Sequence, residues 1–387
     1  MKPAEVLRAL VIDESVVNRR ALSEALTGWD GVEMVGVAAT AAIARAKLDK
    51  EPVDLVLLDA DMDGADPLET LAWIKARQPE TWVIMLSDLS PASAEKTVKA
   101  LSLGALEALA KPGLGPDYGD LGELSDRLGP VLRTLLGKKH IRRAQALTRG
   151  RPAEDDRVLT HRPEPPSRPE PQARPPVRPA PAGPVEVIAL GVSTGGPAAL
   201  AEVIPRLPGD LGVPVLIVQH MPPGFTAALA EDLNRKSTLR VLEAKPGLEV
   251  LPNTVYLAPG GRHMLVHAFG RGPRGPKRLV LDLSDAPPVN SCRPAADVLF
   301  HSLARACDGH ILAVIMTGLG SDGAAGVRLM KEKGCYCLSQ TEKTCVVYSM
   351  PRAVVEAGLA DEQAPLDRLA GRIIELVRGG PGKAAAE

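Results

Sequence analysis

The sequence lacks the features that mark secreted, membrane-spanning and nucleic-acid-binding proteins. Its 387 residues carry a formal net charge of -1, so no overall basic field attracts nucleic acid or acidic lipid. No apolar run approaches the roughly 20 residues that span a bilayer, and the first residues lack the apolar core and cleavage site of a signal peptide. We therefore expect a cytoplasmic protein that neither inserts into a membrane nor binds nucleic acid.

Cysteine is also scarce, and its distribution excludes a disulfide framework. The chain has five cysteines, an odd number, and the first of them is Cys292. Cys335 and Cys337 are separated by one residue, whereas CxxC redox and zinc pairs need two. The sequence therefore predicts free thiols in a reducing compartment.

Apolar segments alternate with helical patterns in two regions, which predicts two α/β domains built on doubly wound parallel sheets. Hydrophobic residues make up 45% of the chain, a normal content for globular domains with sizeable cores. We assign residues 1–136 to the first domain and residues 184–380 to the second. Strands are predicted at 7–12, 32–38, 55–58, 82–86 and 106–109, and then at 185–191, 213–218, 255–257, 279–283, 311–316 and 335–338.

The two regions are joined by a segment of different composition, residues 137–183. It begins with a basic helical tail that contains Lys138, Lys139 and His140, and about one residue in three from 152 to 184 is proline. Proline removes amide donors, and the segment has few apolar residues to bury, so we expect an extended tether without a packed core. A PxxP recognition segment is the alternative.

Acidic residues, a hydroxyl and a lysine follow successive predicted strands of the first region: Asp13-Glu14, Asp59, Ser87 and Lys111. The carboxyl ends of parallel strands share one rim of a doubly wound sheet, where such folds place their sites. Carboxylates that converge there favour a hard cation such as Mg²⁺, and an aspartate beside it can attack a phosphoryl donor. Taken singly, each residue could instead be a helix cap, a turn residue or a solvated charge.

This array resembles the response regulator receiver domain, which has a flavodoxin-like fold. The resemblance implies that Asp59 is the phosphoacceptor, that Ser87 is the switch hydroxyl and that Lys111 contacts the phosphoryl group. It also implies a set of Mg²⁺ ligands, namely Asp13, Glu14, Asp59 and the main chain of Asp61.

The sequence departs from the receiver pattern at two places. The loop after Asp59 carries additional aspartates, Asp61 and Asp63, and Ala108 stands where receivers commonly have an aromatic switch residue. We expect the chemistry of phosphorylation to be retained and the transmission of its signal to be altered.

In the second region, a serine, a histidine and an aspartate follow three predicted strands. Ser193 lies in a glycine-rich turn that opens a helix, His220 follows the next strand, and Asp322 follows a later one. These are the parts of a catalytic triad: a nucleophile, a general base and the carboxylate that orients the base. Each also has a structural alternative, as part of a phosphate loop, a turn histidine or a helix N-cap. His263 and His267 are further candidates for the base.

The order serine, histidine, aspartate resembles the chemotaxis protein-glutamate methylesterases of the CheB family, and the resemblance spans nearly all of residues 185–375. The matching phrases include Gly-Val-Ser-Thr-Gly-Gly at 191–196, Gln-His-Met-Pro-Pro-Gly at 219–224 and Thr-Gly-Leu-Gly-Ser-Asp-Gly at 317–323. The resemblance implies that Ser193 attacks glutamate methyl esters, that His220 relays the proton and that Asp322 orients the imidazole. Residues expected to support the turn and the oxyanion are Thr194, Gly195 and Leu319.

The same resemblance implies the partners and the regulation of such an enzyme, which also deamidates certain receptor glutamines. Its substrates would be methyl-accepting chemoreceptors, and its phosphodonor would be a sensor histidine kinase of the CheA type. Mg²⁺ would serve phosphorylation, whereas hydrolysis would need no cofactor. In this family the unphosphorylated receiver is expected to cover the catalytic cleft. Because a long proline-rich tether lowers the effective concentration of one domain near the other, we expect this autoinhibition to be shallow.

Two alternatives belong to other functional classes. The pattern Gly318-x-Gly320-x-x-Gly323, with Glu342 about twenty residues on, formally matches a dinucleotide-binding fingerprint. That fingerprint belongs in a first βαβ unit, and here too little chain follows it to complete a cofactor site. A catalytically silent interaction protein with the same fold is the second alternative, and turnover of an activated ester would exclude it.

Overall fold

The computed structural model describes residues 6–62, 64, 66–88, 90–111, 121–149, 183–270, 277–307 and 310–379. At residues 121–127 and 143–149 the description is confined to the backbone. Asp63 and nearly all of the segment predicted to be a proline-rich tether lie outside the described residues.

The first region forms a parallel sheet flanked by helices. Its strands are β1 (Leu7–Ile12), β2 (Val32–Ala38), β3 (Leu55–Asp59), β4 (Trp82–Ser87) and β5 (Glu107–Ala110), and its helices are α1 (Val16–Thr27), α2 (Ala41–Leu48), α3 (Pro67–Arg77), α4 (Pro91–Ser102) and α5 (Leu121–Arg149). The strand order β2-β1-β3-β4-β5 is that of a flavodoxin-like doubly wound sheet. Each strand predicted for this region is confirmed to within one residue at either end.

Polar residues just before the helices fix where the strand-to-helix loops end. The Ser15 hydroxyl accepts a hydrogen bond from the Asn18 amide at the start of α1. Asp66 caps α3 by accepting from the Leu68 amide, and Ser90 caps α4 in the same way. Caps of this kind satisfy amides that would otherwise lack partners. They hold the loops at the carboxyl rim of the sheet, where the candidate acidic residues lie.

The second region forms a larger parallel sheet and a separate hairpin. Its strands are β6 (Val187–Val192), β7 (Val215–Gln219), β8 (Arg240–Glu243), β9 (Thr254–Leu257), β10 (His263–Phe269), β11 (Arg278–Ser284), β12 (Ile311–Ile315), β13 (Tyr336–Gln340) and β14 (Glu362–Ala364), and its helices are α6 (Gly196–Val203), α7 (Phe225–Lys236), α8 (Ala296–Ala306), α9 (Ala324–Lys331), α10 (Ser349–Glu356) and α11 (Leu366–Val377). The parallel sheet has the order β14-β13-β12-β6-β7-β9-β8. Both main sheets are therefore parallel α/β sheets, as predicted.

The prediction for the second region was incomplete at the hairpin and at the sheet edges. The strand predicted at 279–283 is β11, which pairs antiparallel with β10 outside the parallel sheet. This hairpin is partly exposed along both strands, as antiparallel pairs can be. The sequence pattern does not predict β8, β10 and β14; β8 and β14 are short edge strands that carry polar residues.

Side chains of the two regions contact each other. Helix α4 packs against α6 and α7. At its end, the Ser102 hydroxyl donates to Asp232 Oδ2 (3.2 Å) and accepts from Lys236 Nζ (3.3 Å). Farther along the chain, Lys138 Nζ donates to the carbonyl of Cys345 at 2.8 Å. The first region therefore has defined polar contacts with the second.

The cysteines form no disulfides in the structure. All five cysteines are free, and four of them are buried, whereas Cys292 is partly exposed. Among the described residues, no helix has both the length and the apolar character needed to cross a membrane.

Candidate active site and phosphoacceptor site

Ser193 stands in a sharp turn at the carboxyl end of β6, immediately before α6. Its amide donates to the carbonyl of Thr317 (3.0 Å), and its carbonyl accepts from the amide of Gly196 (2.7 Å). Gly195 has a left-handed φ of 77°, and a Cβ there would collide with Val346. Glycine is therefore required at position 195 both for its backbone freedom and for lack of space. In this turn Ser193 is nearly buried, with 8% of the residue exposed.

His220 and Asp322 meet at the same rim of the sheet. His220 follows β7, and its amide donates to the carbonyl of Val192 at 3.2 Å. Its Nε2 lies 2.8 Å from Asp322 Oδ2, and the two side chains are 11% and 2% exposed. The structure thus brings together the histidine and the aspartate that the sequence singled out.

The Asp322 carboxylate is held by several donors besides His220. The amides of Ala296 and Asp297, at the start of α8, donate at 2.5 and 3.1 Å, and Asn290 Nδ2 donates at 2.8 Å. Burial acts to raise the pKa of Asp322, but the contacts with His220 and the two amides outweigh it, so the pKa lies below its ordinary value. Since an ionised carboxylate only accepts, the ring nitrogen that faces Asp322 carries a proton.

The other ring nitrogen of His220 faces a thiol. Nδ1 lies 3.4 Å from Cys292 Sγ. Burial acts to lower the pKa of His220, but the contacts with Asp322 and Cys292 outweigh it and raise the pKa to about 10. Within the described residues, no hydrogen bond joins the Ser193 hydroxyl to His220. The His220 ring is therefore engaged with two partners, neither of which is Ser193.

Main-chain amides near Ser193 are available as oxyanion donors. Thr194 and Gly195 follow the serine, and Leu319 belongs to the loop whose Gly318 packs against it. In the part of the chain that the structure describes, the amides of Thr194, Gly195 and Leu319 donate no hydrogen bond. Free amides beside a helix N-terminus can stabilise a developing negative charge.

The competing histidines are engaged elsewhere. His263 is fully buried, its Nε2 lies 3.1 Å from the carbonyl of Pro287, and its Nδ1 accepts from the amide of Ala295. His267 is half-exposed on β10 and lies 3.5 Å from Asp282. These contacts give His263 a structural role and His267 a surface role.

Backbone conformation and close packing account for the glycines of the dinucleotide-like pattern. Gly320 has a left-handed φ of 82°, although a Cβ there would meet nothing within 4 Å. A Cβ on Gly318 would lie 2.8 Å from the Cβ of Ser193. Gly323 has a left-handed φ of 93°, and a Cβ there would lie 2.9 Å from Ile315 Cδ1. The loop therefore needs these glycines to place Asp322, which lies between them, without a bound nucleotide.

In the first sheet, Asp59 and Lys111 form a buried ion pair. Asp59 ends β3, Lys111 follows β5, and Lys111 Nζ lies 2.6 Å from Asp59 Oδ1. Asp13 follows β1 at the same rim and is fully buried. Burial raises the pKa of Asp59; Lys111 opposes this effect and the charge of Asp13 adds to it. Two buried carboxylates, Asp13 and Asp59, therefore share this rim with one lysine.

One oxygen of Asp59 is available to a ligand. Oδ1 accepts from the Asp61 amide at 2.8 Å, but Oδ2 is buried and has no hydrogen-bond partner among the described residues. An unsatisfied buried carboxylate oxygen is costly unless a cation or another group completes it. Among the described residues, no three acidic, histidine or cysteine side chains gather into a metal site. Two carboxylates, Asp13 and Asp59, nevertheless suit Mg²⁺, which usually keeps several waters.

The other two predicted Mg²⁺ ligands lie differently. Glu14 is exposed at the edge of the site. The carboxylate of Asp61 accepts from the Ser93 hydroxyl at 2.7 Å and lies 3.9 Å from Lys96 Nζ. The same carboxylate lies 3.8 Å from Lys111 Nζ, so it lies between α4 and the lysine of the rim. The assignment of the Asp61 main chain to the metal stays a prediction.

Ser87, which the sequence predicts to be the switch hydroxyl, contacts that same helix. Ser87, at the end of β4, lies 2.6 Å from Ser93, Oγ to Oγ. Because Ser93 donates to Asp61, Ser87 is the donor in this pair. Ala108 is buried in β5. A hydroxyl network therefore links the strand end to α4, the helix that packs on the second region.

Three residues of these sites were missed by the sequence analysis: Asn290, Cys292 and Ser93. Asn290 has a left-handed φ of 53°, a conformation that asparagine tolerates better than most residues. Cys292 has no second cysteine at a CxxC spacing that would mark it as functional. Ser93 reads as an ordinary residue of the first turn of a helix.

Comparisons with known proteins match the same two regions. The model of the CheB methylesterase family matches residues 188–373, and that of the response regulator receiver domain matches residues 9–117. The chain is 37% identical to the protein-glutamate methylesterase/protein-glutamine glutaminase of Desulfotalea psychrophila, over 96% of this chain and 99% of that one. It is 39% identical to protein-glutamate methylesterase/protein-glutamine glutaminase 2 of Caulobacter vibrioides, over 96% and 99% of the two chains.

Solved structures resemble each region separately. The CheB methylesterase catalytic domain of Thermotoga maritima is 38% identical, covers 50% of this chain and 99% of its own, and gives a TM-score of 0.47. The response regulator domain of Thermotoga maritima CheB is 26% identical, covers 34% of this chain and 98% of its own, and gives a TM-score of 0.30.

Proposed function

This chain belongs to the CheB methylesterase family, and from that premise we propose that it hydrolyses glutamate methyl esters of chemoreceptors with Ser193, His220 and Asp322. The proposal includes deamidation of receptor glutamines, because the relatives are named for both activities. It also includes a cytoplasmic location for the protein, as expected from the sequence. The observation that carries it is the 2.8 Å contact between His220 Nε2 and an Asp322 carboxylate held by main-chain amides.

The chemistry begins with the hydroxyl of Ser193, which attacks the ester carbonyl while Nδ1 of His220 takes its proton. Asp322 holds the Nε2 proton and stabilises the imidazolium that forms. The imidazolium then gives its proton to the leaving oxygen, so methanol departs and an acyl-serine remains. Water, deprotonated by the same nitrogen, cleaves the acyl-serine and restores the hydroxyl. With a glutamine substrate the group that departs is ammonia.

The negative oxygen of the tetrahedral intermediate needs donors that are not already used. The amides of Thr194, Gly195 and Leu319 meet this requirement, since they donate no other hydrogen bond within the described residues. Preorganised amides act without reorganising during the reaction, and one such donor contributes about 3 kcal/mol of transition-state stabilisation. Leucine at position 319 serves as well as other side chains, because the backbone supplies the donor.

The receiver is proposed to control this hydrolase through phosphorylation of Asp59 by a CheA-type kinase. Asp13 and Asp59 would hold Mg²⁺, with Glu14 at the rim and the main chain of Asp61 as a further ligand. When bound, the ion neutralises the charge of the phosphoryl group. Lys111, which lies 2.6 Å from Asp59 Oδ1, would contact the phosphoryl group once it is attached.

Methanol release from methylated chemoreceptor membranes tests the proposal, with the purified chain assayed with and without acetyl phosphate and Mg²⁺. We expect release by the wild type and none above background by Ser193→Ala. Binding of NAD without methanol release would favour the dinucleotide alternative. A folded chain that neither releases methanol nor cleaves an activated ester would be a silent interaction protein.

A further inference from the structure

Cys292 contacts the general base on the nitrogen that the nucleophile must reach. Its Sγ lies 3.4 Å from Nδ1 of His220, while Nε2 is held by Asp322 at 2.8 Å. Nδ1 is therefore the ring nitrogen left to accept the proton of Ser193. One nitrogen has one lone pair or one proton in the plane of the ring, so it serves one partner at a time. Cys292 and Ser193 compete for that position.

The loop that carries Cys292 is a tight turn that contacts both His220 and Asp322. Val289 and Cys292 exchange two amide-to-carbonyl hydrogen bonds of 3.1 and 2.9 Å. Asn290 and Ser291 between them have left-handed φ values of 53° and 59°. Asn290 Nδ2 also donates to Asp322 at 2.8 Å. One tight turn therefore contacts the carboxylate through Asn290 and the ring through Cys292.

The other cysteines differ from Cys292 in their surroundings. Cys307, Cys335, Cys337 and Cys345 are buried, and burial raises the pKa of each. Cys292 is partly exposed and has an ionisable partner. Cys307 thus offers a matched control, a thiol of the same chain that does not contact the base.

Resting on the proposed hydrolase function, we propose that Cys292 is a positioning residue: its sulfur is the partner of His220 Nδ1 in the free enzyme, and Ser193 must displace it before the proton can be transferred. The ionisable groups around the ring are Asp322 and Cys292, with Asp297 behind Asp322. Asp322 and then Cys292 act to raise the pKa of His220. Removal of the sulfur therefore lowers that pKa and makes the neutral base available at lower pH.

The experiment measures kcat/KM for methanol release from methylated receptor membranes as a function of pH, with the full chain. In Cys292→Ala, the acid limb should move down by about one pH unit, the effect of losing one hydrogen bond to a charged group. The rate near pH 7 should therefore rise about tenfold. Cys292→Ser should stay close to wild type, because a hydroxyl can make the same bond. Cys307→Ala should leave the limb unchanged.

Three results would overturn the inference. An acid limb that does not move in Cys292→Ala shows that the sulfur does not hold the ring. A limb that moves equally in Cys292→Ser and Cys292→Ala shows a packing effect. Loss of all turnover in both folded variants shows that the thiol takes part in bond making. An NMR titration of the His220 ring nitrogens, in wild type and Cys292→Ala, tests the contact between Cys292 and His220 without measuring turnover. An inactive wild type would therefore contradict only the hydrolase proposal.

Discussion

Gly318 packs directly against Ser193: a Cβ on Gly318 would lie 2.8 Å from the Cβ of Ser193 and 2.3 Å from the sulfur of Met350. The contact is reinforced by the hydrogen bond from the Met350 amide to the Gly318 carbonyl at 3.0 Å. The loop that brings Asp322 to His220 therefore also sets the position of the Ser193 turn. The position of Ser193 after β6 is thus coupled to the position of the loop after β12, which carries Gly318 and Asp322.

This coupling predicts the effect of Gly318→Ala. The methyl group must displace the Ser193 turn or Met350, and a displacement of about 1 Å in a catalytic group can cost about a hundredfold in rate. We expect kcat for methanol release to fall more than KM changes, with the far-ultraviolet circular dichroism of wild type. Gly371→Ala on α11, where a Cβ meets nothing within 4 Å, is the matched control. Equal kcat values for the two variants would show that a methyl group fits between Gly318 and Ser193 without moving the serine.

The raised pKa of His220 predicts the pH dependence of hydrolysis. The base acts in its neutral form, but the contacts with Asp322 and Cys292 outweigh burial and hold the ring protonated until about pH 10. The rate should therefore rise with pH through the neutral range, by about tenfold per unit while the neutral fraction is small. The measurement is kcat/KM from pH 6 to about 9, with spontaneous ester hydrolysis subtracted by a Ser193→Ala blank. A plateau that begins near pH 7 would contradict the assigned environment.

The orphaned oxygen of Asp59 predicts where and how the receiver is labelled. Acetyl phosphate with Mg²⁺ should place one phosphoryl group on Asp59, and removal of the metal by EDTA should prevent labelling. Asp59→Asn should abolish the label. Asp61→Asn should keep it, because the Asp61 carboxylate accepts from Ser93 and is not the unpaired acid. Phosphate found on Asp61 by mass spectrometry would show that the acidic loop has moved the acceptor.

The contact between α4 and α7 predicts the depth of autoinhibition. Ser102→Glu places a longer, charged side chain against Asp232, which is 4% exposed and already paired with Arg235 and Lys236. The added volume at this packed contact should loosen it. The unphosphorylated variant should gain a few-fold in hydrolysis rate, close to the rate of a fragment that begins at residue 184. Ser102→Ala, which loses the hydroxyl alone, is the control and should change little. A hundredfold gain on truncation or on phosphorylation would mean that the first region strongly inhibits the second, in spite of the long tether.

Much of both candidate sites could be predicted because parallel strands impose an order that is visible in the sequence. Asp13, Asp59 and Lys111 each follow a run of buried apolar residues, as do Ser193 and His220. In a parallel sheet the residues after such runs converge on one edge, so the strand pattern alone places them together. The same reasoning anticipated the two parallel sheets.

The remainder depends on contacts that no local pattern encodes. Asn290 and Cys292 lie in a loop between β11 and α8, and their positions follow from how α8 packs beneath Asp322. Ser93 gains its role because the first turn of α4 meets Ser87 at the end of β4 and Asp61 just after β3. The edge strands β8 and β14 are too short and too polar to produce a periodic signal. Long-range packing, and not propensity, decides these features.

The most direct test of the account is methanol release from one preparation of methylated receptor membranes by wild type, Ser193→Ala and His220→Ala. Because triad members act as a unit, either substitution should lower the rate by about three orders of magnitude or more while thermal unfolding stays cooperative. Wild-type release that both variants lose is the predicted result. Release by Ser193→Ala at near the wild-type rate would contradict the central claim that this serine is the nucleophile.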